Sequence, residues 1–201
     1  MLSTDSRGQA HTLEAFAAAI LLVAGLTFAL QATAVTPLSA STSNQHIENQ
    51  QRAVANDLLE TSAENGDLTE AVLYWNPENE SFADSHPDFE YYTQAGPPNA
   101  FGGALDRAFL DRRIAFNVDL RHGNAGENRT RMINMGSPSD NAVSATRTVP
   151  LADDANLTAP GYENSTLRNV SNTAGEEFYA VDAGSGAIYD HVEVRIVVWR
   201  M

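Results

Sequence analysis

The chain of 201 residues contains no cysteine and no lysine. The first absence excludes disulfides, thiol nucleophiles, iron–sulfur clusters and cysteine-ligated zinc. The second leaves 12 arginines as the whole cationic complement against 26 carboxylates, for a formal net charge of -14. A field of that sign disfavours nucleic acid or an anionic membrane face as the main partner. Short, strongly hydrated carboxylates stay soluble when salt screens their self-repulsion, and with lysine missing this balance points to a halophile. Aromatics are scarce at 8%, yet 43% of residues are apolar, enough for one sizeable core. The length fits one domain with an appendage.

Catalytic signatures are missing as well. The histidines at positions 11, 46, 86, 122 and 191 never fall at metal-ligand spacing. No Gly-x-Ser-x-Gly elbow occurs, and Gly184-Ser185-Gly186 lacks the later glycine and lysine of a phosphate loop, so it reads as a turn. Asp153-Asp154, Glu176-Glu177 and Glu78-Asn79-Glu80 fit no calcium loop. In so acidic a chain, the neighbours His86-Pro87-Asp88 and Asp190-His191 arise from composition. The expectation is a non-enzymatic protein with no catalytic residue, no metal site and no cofactor.

What the chain does have is one long uncharged run. Nothing from Ala15 to Val35 is charged, and Ala15–Leu30 is almost wholly apolar. Extended through Val35 the run reaches about 20 residues, enough to cross a bilayer core as a helix. A cleaved secretory signal would use the small-x-small site Ala32-Thr33-Ala34. An uncleaved anchor would keep the amino terminus inside, because Arg7 precedes the run and the next charge after it is Glu48. Neither explains why Glu14 stands directly against the apolar run.

The stretch Arg7-Gly8-Gln9-Ala10-His11-Thr12-Leu13-Glu14 before that run resembles the class III signal peptide of archaeal type IV pilins and pilin-like proteins. The resemblance implies that a prepilin peptidase cuts between Gly8 and Gln9 on the cytoplasmic side and that the apolar helix is kept as a filament stem. It places Glu14 sixth after the cut, where the family usually has its carboxylate fifth. A carboxylate at the edge of a membrane helix costs on the order of 1–3 kcal/mol. The new α-amino group on Gln9 would lie about 7–8 Å along the helix from Glu14, and the two charges can neutralise one another between neighbouring subunits, fixing their axial register. A plainer role for Glu14 is to favour the dipole at the helix start.

Beyond the run, Pro37 should kink or interrupt the helix, and Ser39–Asn44 is a weak helix former. Ile47, Gln51, Val54 and Leu58, flanked by Ala55 and Leu59, then form one amphipathic stripe that Gln51 interrupts. Asn65-Gly66 ends it. From Leu68 onward the pattern has period two. Ala71–Trp75, Arg113–Arg121, Arg131–Met135, Ala142–Leu151, Phe178–Val181 and Ala187–Trp199 read as strands or short apolar runs, the last two as a hairpin around residues 182–186. Phe101–Leu110 reads as a short helix. The fold class expected is therefore α+β, a long amino-terminal helix laid on an antiparallel sheet, as in a pilin head. Five N-x-S/T sequons, at Asn79, Asn128, Asn156, Asn164 and Asn169, are candidate glycosylation sites if the head lies outside the cell.

These readings divide the chain into a leader (1–8), a transmembrane or filament-core helix (9–36), an amphipathic helix on the head (37–65) and an acidic β-rich head (66–201). The resemblance implies a haloarchaeal minor subunit of a cell-surface filament, acting in pilus assembly or adhesion. Its partners would be other pilin subunits through the stem, the prepilin peptidase and the assembly machinery, with the membrane but no nucleic acid. The competing expectation is a membrane-anchored or secreted extracellular binding module that joins no filament.

Overall fold

The computed structural model of the chain describes residues 5–123, 126–184 and 186–200, with side chains from 11–31 and from 45 onward within them. The chain divides into two compact units, Met1–Ile47 and Glu48–Met201.

Helix α1 spans Asp5–Asn65 and accounts for the whole of the first unit that is described. It runs through Pro37 without the expected interruption. Proline deletes one rung of the hydrogen-bond ladder, and the intact rungs on either side carry the helix across it. Gly66 stops α1 by turning to φ 84, a left-handed conformation that costs a residue without Cβ little. The Gly66 carbonyl then accepts from the Glu70 amide at 3.0 Å, so the same residue opens α2, Asp67–Val72. Here the expectation of an extended Ala71–Trp75 is corrected. Leu68, Ala71 and Val72 are the residues that bury, at the i, i+3, i+4 spacing of a helix, and the extended chain begins only at Trp75.

The second unit is built on a four-stranded antiparallel sheet of β3 (Ile114–His122), β4 (Asn128–Asn134), β5 (Val143–Ala152) and β6 (Ile188–Arg200), in the order β4-β3-β6-β5. The thirteen residues of β6 occupy a central position, and Val192, Val194, Ile196 and Val198 on its inner side are fully buried. Phe116, Val118 and Leu120 of β3 continue that inner face. Glu193, Arg195 and Val197 alternate with them on the other side, paired across to Arg121, Asp119 and Asn117. A bulge between Val118 and Asp119 seats Met132 of β4 as an extra, fully buried residue. The α+β class is thus observed, with all four sheet strands close to their expected ranges.

Phe178–Val181 is not a strand, a second correction. This segment is tied to the body by side chains instead: Trp75 Nε1 donates to the Glu177 carbonyl at 2.7 Å, and the Tyr179 hydroxyl donates to the Val72 carbonyl at 3.1 Å. Among the described residues its hydrogen-bond links to β6 are the Ala183 amide, which donates to the Tyr189 carbonyl at 2.7 Å, and the Ala180 carbonyl, which accepts from the Tyr189 hydroxyl at 3.0 Å. Trp75 itself belongs to a two-residue hairpin, β1 (Trp75–Asn76) with β2 (Ser81–Phe82). The second compact helix of the head, α3 (Ala100–Ala108), matches the expected one, and α4 (Leu167–Asn172) lies in the long connection into β6.

The carboxy-terminal part of α1 carries Ala55 and Leu59 in the same hydrophobic core as the inner sheet face. Gln51, the expected interruption, is itself buried at 7% exposure, as is Ser62 at 3%. The buried seam is therefore Gln51, Ala55, Leu59 and Ser62, with Val54 and Leu58 half-buried beside it.

At the start of α3 the Asn99 side chain accepts from the Gly102 amide at 3.1 Å, capping the helix. A Cβ on Gly102 would stand 1.9 Å from the Pro97 carbonyl oxygen, which is backbone and cannot step aside. Gly102→Ala is expected to destabilise the head by about 2–3 kcal/mol in urea melts of the detergent-solubilised chain. Gly103→Ala, whose Cβ meets only the flexible end of Arg107 at 3.2 Å, should stay within about 0.5 kcal/mol of the parent.

Candidate functional site

The amino-terminal unit presents its chemistry at one end of α1. His11–Gln31 is a 21-residue stretch of mean hydropathy 2.2 with none of it buried. Leu22 and Phe28 are each 75% exposed. At about 1.5 Å per residue the stretch is about 31 Å long, the thickness of a bilayer's hydrocarbon core. The Thr27 hydroxyl donates to the Val23 carbonyl at 2.7 Å, so the helix satisfies this polar group internally. By length and composition α1 can cross a membrane, a property that a signal sequence near an amino terminus shares.

Glu14 stands at the leading edge of this stretch, and the structure adds a neighbour that the sequence reading passed over. His11 Nδ1 is 3.7 Å from Glu14 Oε2, one turn back on the same face. The i, i+3 spacing of His11 and Glu14 is present in the sequence and puts both side chains on one helix face. Both side chains are largely exposed. Gly8 and Gln9 fall within α1, with their side chains outside the described residues.

In the head, all five sequon asparagines are exposed. Asn79 lies in the β1–β2 turn, Asn128 begins β4, and Asn156 and Asn164 sit in the connection between β5 and α4. Asn169 differs, being inside α4 with the hydroxyl of its Ser171 partner engaged by the Leu167 carbonyl and the Tyr189 hydroxyl.

Of the acidic groups noted in the sequence, Glu80 and Glu177 line one cleft together with Glu90, Arg129 and Arg131, whereas the Asp153-Asp154 pair is split. Asp153 is buried and bonded to Arg168, while Asp154 is exposed. His86 Nδ1 accepts from the Asp88 amide at 3.2 Å, an ordinary turn. Among the described residues no group of three or more His, Asp or Glu is placed to hold a metal ion.

Asp190 is spent on backbone, accepting from the Gly123 amide at 2.9 Å and the His191 amide at 2.7 Å. It also lies close enough to buried His122 to be felt. His122 Nε2 is 3.0 Å from Thr130 Oγ1, its ring meets Tyr179 edge-on at 5.3 Å, and its Nδ1 is buried with no hydrogen-bond partner. Burial pushes the imidazole below its ordinary value of 6.5, with the Asp190 carboxylate opposing the shift. The unfolded chain therefore takes up this proton before the folded one. Stability is fully present above the ordinary histidine value and falls as pH drops below it. Urea midpoints taken from about pH 7.5 down to about pH 5.5 should fall, and His122→Gln should flatten that slope.

The outer face of the sheet carries the other notable group. Arg121, Arg129, Arg131 and Arg195 face outward around Asp119, which is only 13% exposed. Arg129 Nε lies 3.1 Å and Arg131 Nε 4.0 Å from Asp119 Oδ1, and the Arg131 guanidinium sits 5.3 Å from the Tyr91 ring centre. Arg129, Arg131, Asp119 and Arg195 line a cleft of about 660 Å³ rimmed by residues 136–138 and 142–144. The signal was the polar half of the β3 and β6 alternation, which fixes which charges share a face only once the strand partners are known.

An exposed apolar helix able to cross a membrane, continuing into an α+β domain on an antiparallel sheet, is the class that these features define. The chain belongs to a family of unknown function, DUF7288, whose model matches residues 7–198 and so spans the apolar helix and the head together. No curated protein and no solved structure matches it.

Proposed function

We propose that this protein is a pilin-like structural subunit of a cell-surface filament, held by α1 in the membrane and then in the filament core. The observation that carries the reading is the continuity of α1. The helix runs from the exposed apolar stretch, through Ala32-Thr33-Ala34, to the seam of Ala55 and Leu59 in the head core. A signal that is cut off presents its cleavage site after the apolar segment, at the boundary with the mature protein; here that site lies inside a helix that continues into the head. The family match supports the same view, because it begins at Arg7 and takes in stem and head as one unit.

In this reading a prepilin peptidase removes residues 1–8, the amino terminus starts on the inner side, and the acidic head is outside. Glu14 neutralises the Gln9 α-amino group of a neighbouring stem. Exposed asparagines at 79, 128, 156 and 164 are then open to glycan attachment. The lack of lysine and the net charge of -14 suit a halophile's exterior, where the head relies on packing without disulfides.

The test is to remove the gene, return it with Glu14→Ala, and count filaments. An unpaired α-amino charge in apolar surroundings costs about 3–5 kcal/mol, so filaments should fall on the order of a hundredfold or more. Normal filament numbers with Glu14→Ala would contradict the assembly role of Glu14. Normal filament numbers without the gene would limit the chain to a tip or accessory position, and with normal cell attachment as well they would leave a membrane-anchored binding module.

A further inference from the structure

The two outward surfaces of the head have opposite charge. The outer sheet face holds four guanidiniums, Arg121, Arg129, Arg131 and Arg195, against two carboxylates, Asp119 and Glu193, in a chain whose net charge is -14. Arg121 and Arg195 make no ion pair among the described residues, whereas Arg129 and Arg131 share the single carboxylate of Asp119. The cleft itself is lined by three guanidiniums, Arg129, Arg131 and Arg195, and one carboxylate, Asp119, while Glu80, Glu90 and Glu177 line a neighbouring cleft with Arg129 and Arg131.

Across the head the situation reverses. Asp57, Glu60 and Glu64 of α1 are exposed, and their spacings of three and four residues put them on one helix face. At about 100° per residue this stripe lies roughly opposite the seam of Gln51, Ala55, Leu59 and Ser62 that is buried in the core. Ala55 and Leu59 share one core with the inner sheet face, so the acidic stripe and the arginine cleft each lie on the far side of their own element from that core.

We infer that the arginine cleft of one copy docks the Asp57–Glu60–Glu64 stripe of a second copy. The inference rests on the filament reading above and gives it a contact between heads. Because the two complementary surfaces are different patches on different elements, the contact is head-to-tail, and in a filament it propagates an open array where a self-complementary patch would close into a dimer. Guanidinium–carboxylate forks act at hydrogen-bond range, so they persist in salt that screens the long-range repulsion between acidic heads.

The full chain is tested in the cells that make it, in three forms. One carries Arg129→Glu, Arg131→Glu and Arg195→Glu, the second Asp57→Arg, Glu60→Arg and Glu64→Arg, and the third both sets. Filaments should fall on the order of tenfold in each single-face form and recover in the combined chain, where complementarity returns with its signs exchanged. Undiminished filaments in the single-face forms, or a loss that the combined chain does not restore at equal protein level, overturns the inference. So does loss of binding to a sulfated polysaccharide in the sheet-face form with filaments intact, which would assign the cleft to an acidic glycan.

A second measurement avoids charge reversal. With no native cysteine, Thr146→Cys on the outer face and Asn56→Cys on the helix can be joined across copies by a short bis-maleimide. A ladder of multimers from the chain carrying both, and none from either alone, is expected. Dimers from Thr146→Cys alone, or no ladder, overturn the head-to-tail contact. The mature amino terminus read in the same cells separates the two failures: a start at Gln9 without a ladder sinks the docking alone, and a start elsewhere sinks the filament reading.

Discussion

A chain carrying Gly8→Phe is expected to keep its first eight residues and to disappear from surface filaments. Glycine has no Cβ, so the backbone on either side of a scissile bond at Gly8–Gln9 can be gripped closely. A phenyl ring there blocks that approach. The larger consequence follows from charge. Without cleavage no α-amino group forms at Gln9, and Glu14 faces the apolar stems of its neighbours with only His11, 3.7 Å away on its own helix. Leaving a carboxylate without its intermolecular partner costs about 3–5 kcal/mol per subunit, which no assembly of many copies can absorb. Immunoblots should show a precursor that runs larger than the parent and stays in the membrane, with filaments reduced on the order of a hundredfold or more. A parent-sized product with normal filaments would place the cut elsewhere.

Trp75→Ala is expected to have the largest effect on the head. Trp75 is 4% exposed and packs edge-on against Phe82 at 5.2 Å and Tyr179 at 5.2 Å. Its indole N–H is the tether of Glu177. Truncation removes a large buried ring, leaves a cavity among aromatics, and frees the Phe178–Val181 segment, which has no strand partners to hold it. The expected loss is about 3–5 kcal/mol in urea melts, with new proteolytic cleavage near residues 176–183 appearing before global unfolding. Trp75→Phe should recover most of the packing and none of the Glu177 bond, a loss of about 1–2 kcal/mol. If Trp75→Ala cost no more than Trp75→Phe, the ring would not be the anchor of that segment.

The parts of the fold that were legible in the sequence are those in which one periodicity dominates. Ile114, Phe116, Val118 and Leu120 alternate with polar residues, and Val192 to Val198 do the same, so β3 and β6 stood out. Phe178–Val181 carries the same residue types without becoming a strand: Phe178 packs edge-on against Trp75 and Tyr189, the Ala180 carbonyl is taken by the Tyr189 hydroxyl, and Val181 is exposed. Ala71 and Val72 misled in the opposite sense, being apolar neighbours that a helix buries together. Gln51 reads as a flaw in an amphipathic stripe, yet it belongs to the buried seam with Ala55, Leu59 and Ser62. Pro37 was expected to break α1 and does not, because a single missing donor is a small defect in a helix of 61 residues.

Of the candidate sites, Glu14 was legible because a lone carboxylate beside an apolar run is out of place. The arginine cleft was not. Arg129, Arg131 and Arg195 are distant in sequence, and only the order β4-β3-β6-β5 brings them around Asp119. His122 was visible as a residue but not as a buried one, since burial depends on Tyr179 arriving from a connection without regular structure.

The central claim is that the apolar helix is retained and begins at a cut made before it. Mass spectrometry of the amino-terminal peptide, taken from the chain as it occurs in cell membranes, tests this most directly. The account predicts a mature chain beginning at Gln9, with α1 intact. A chain beginning at Val35, with the helix gone, or one that still carries Met1 would contradict it.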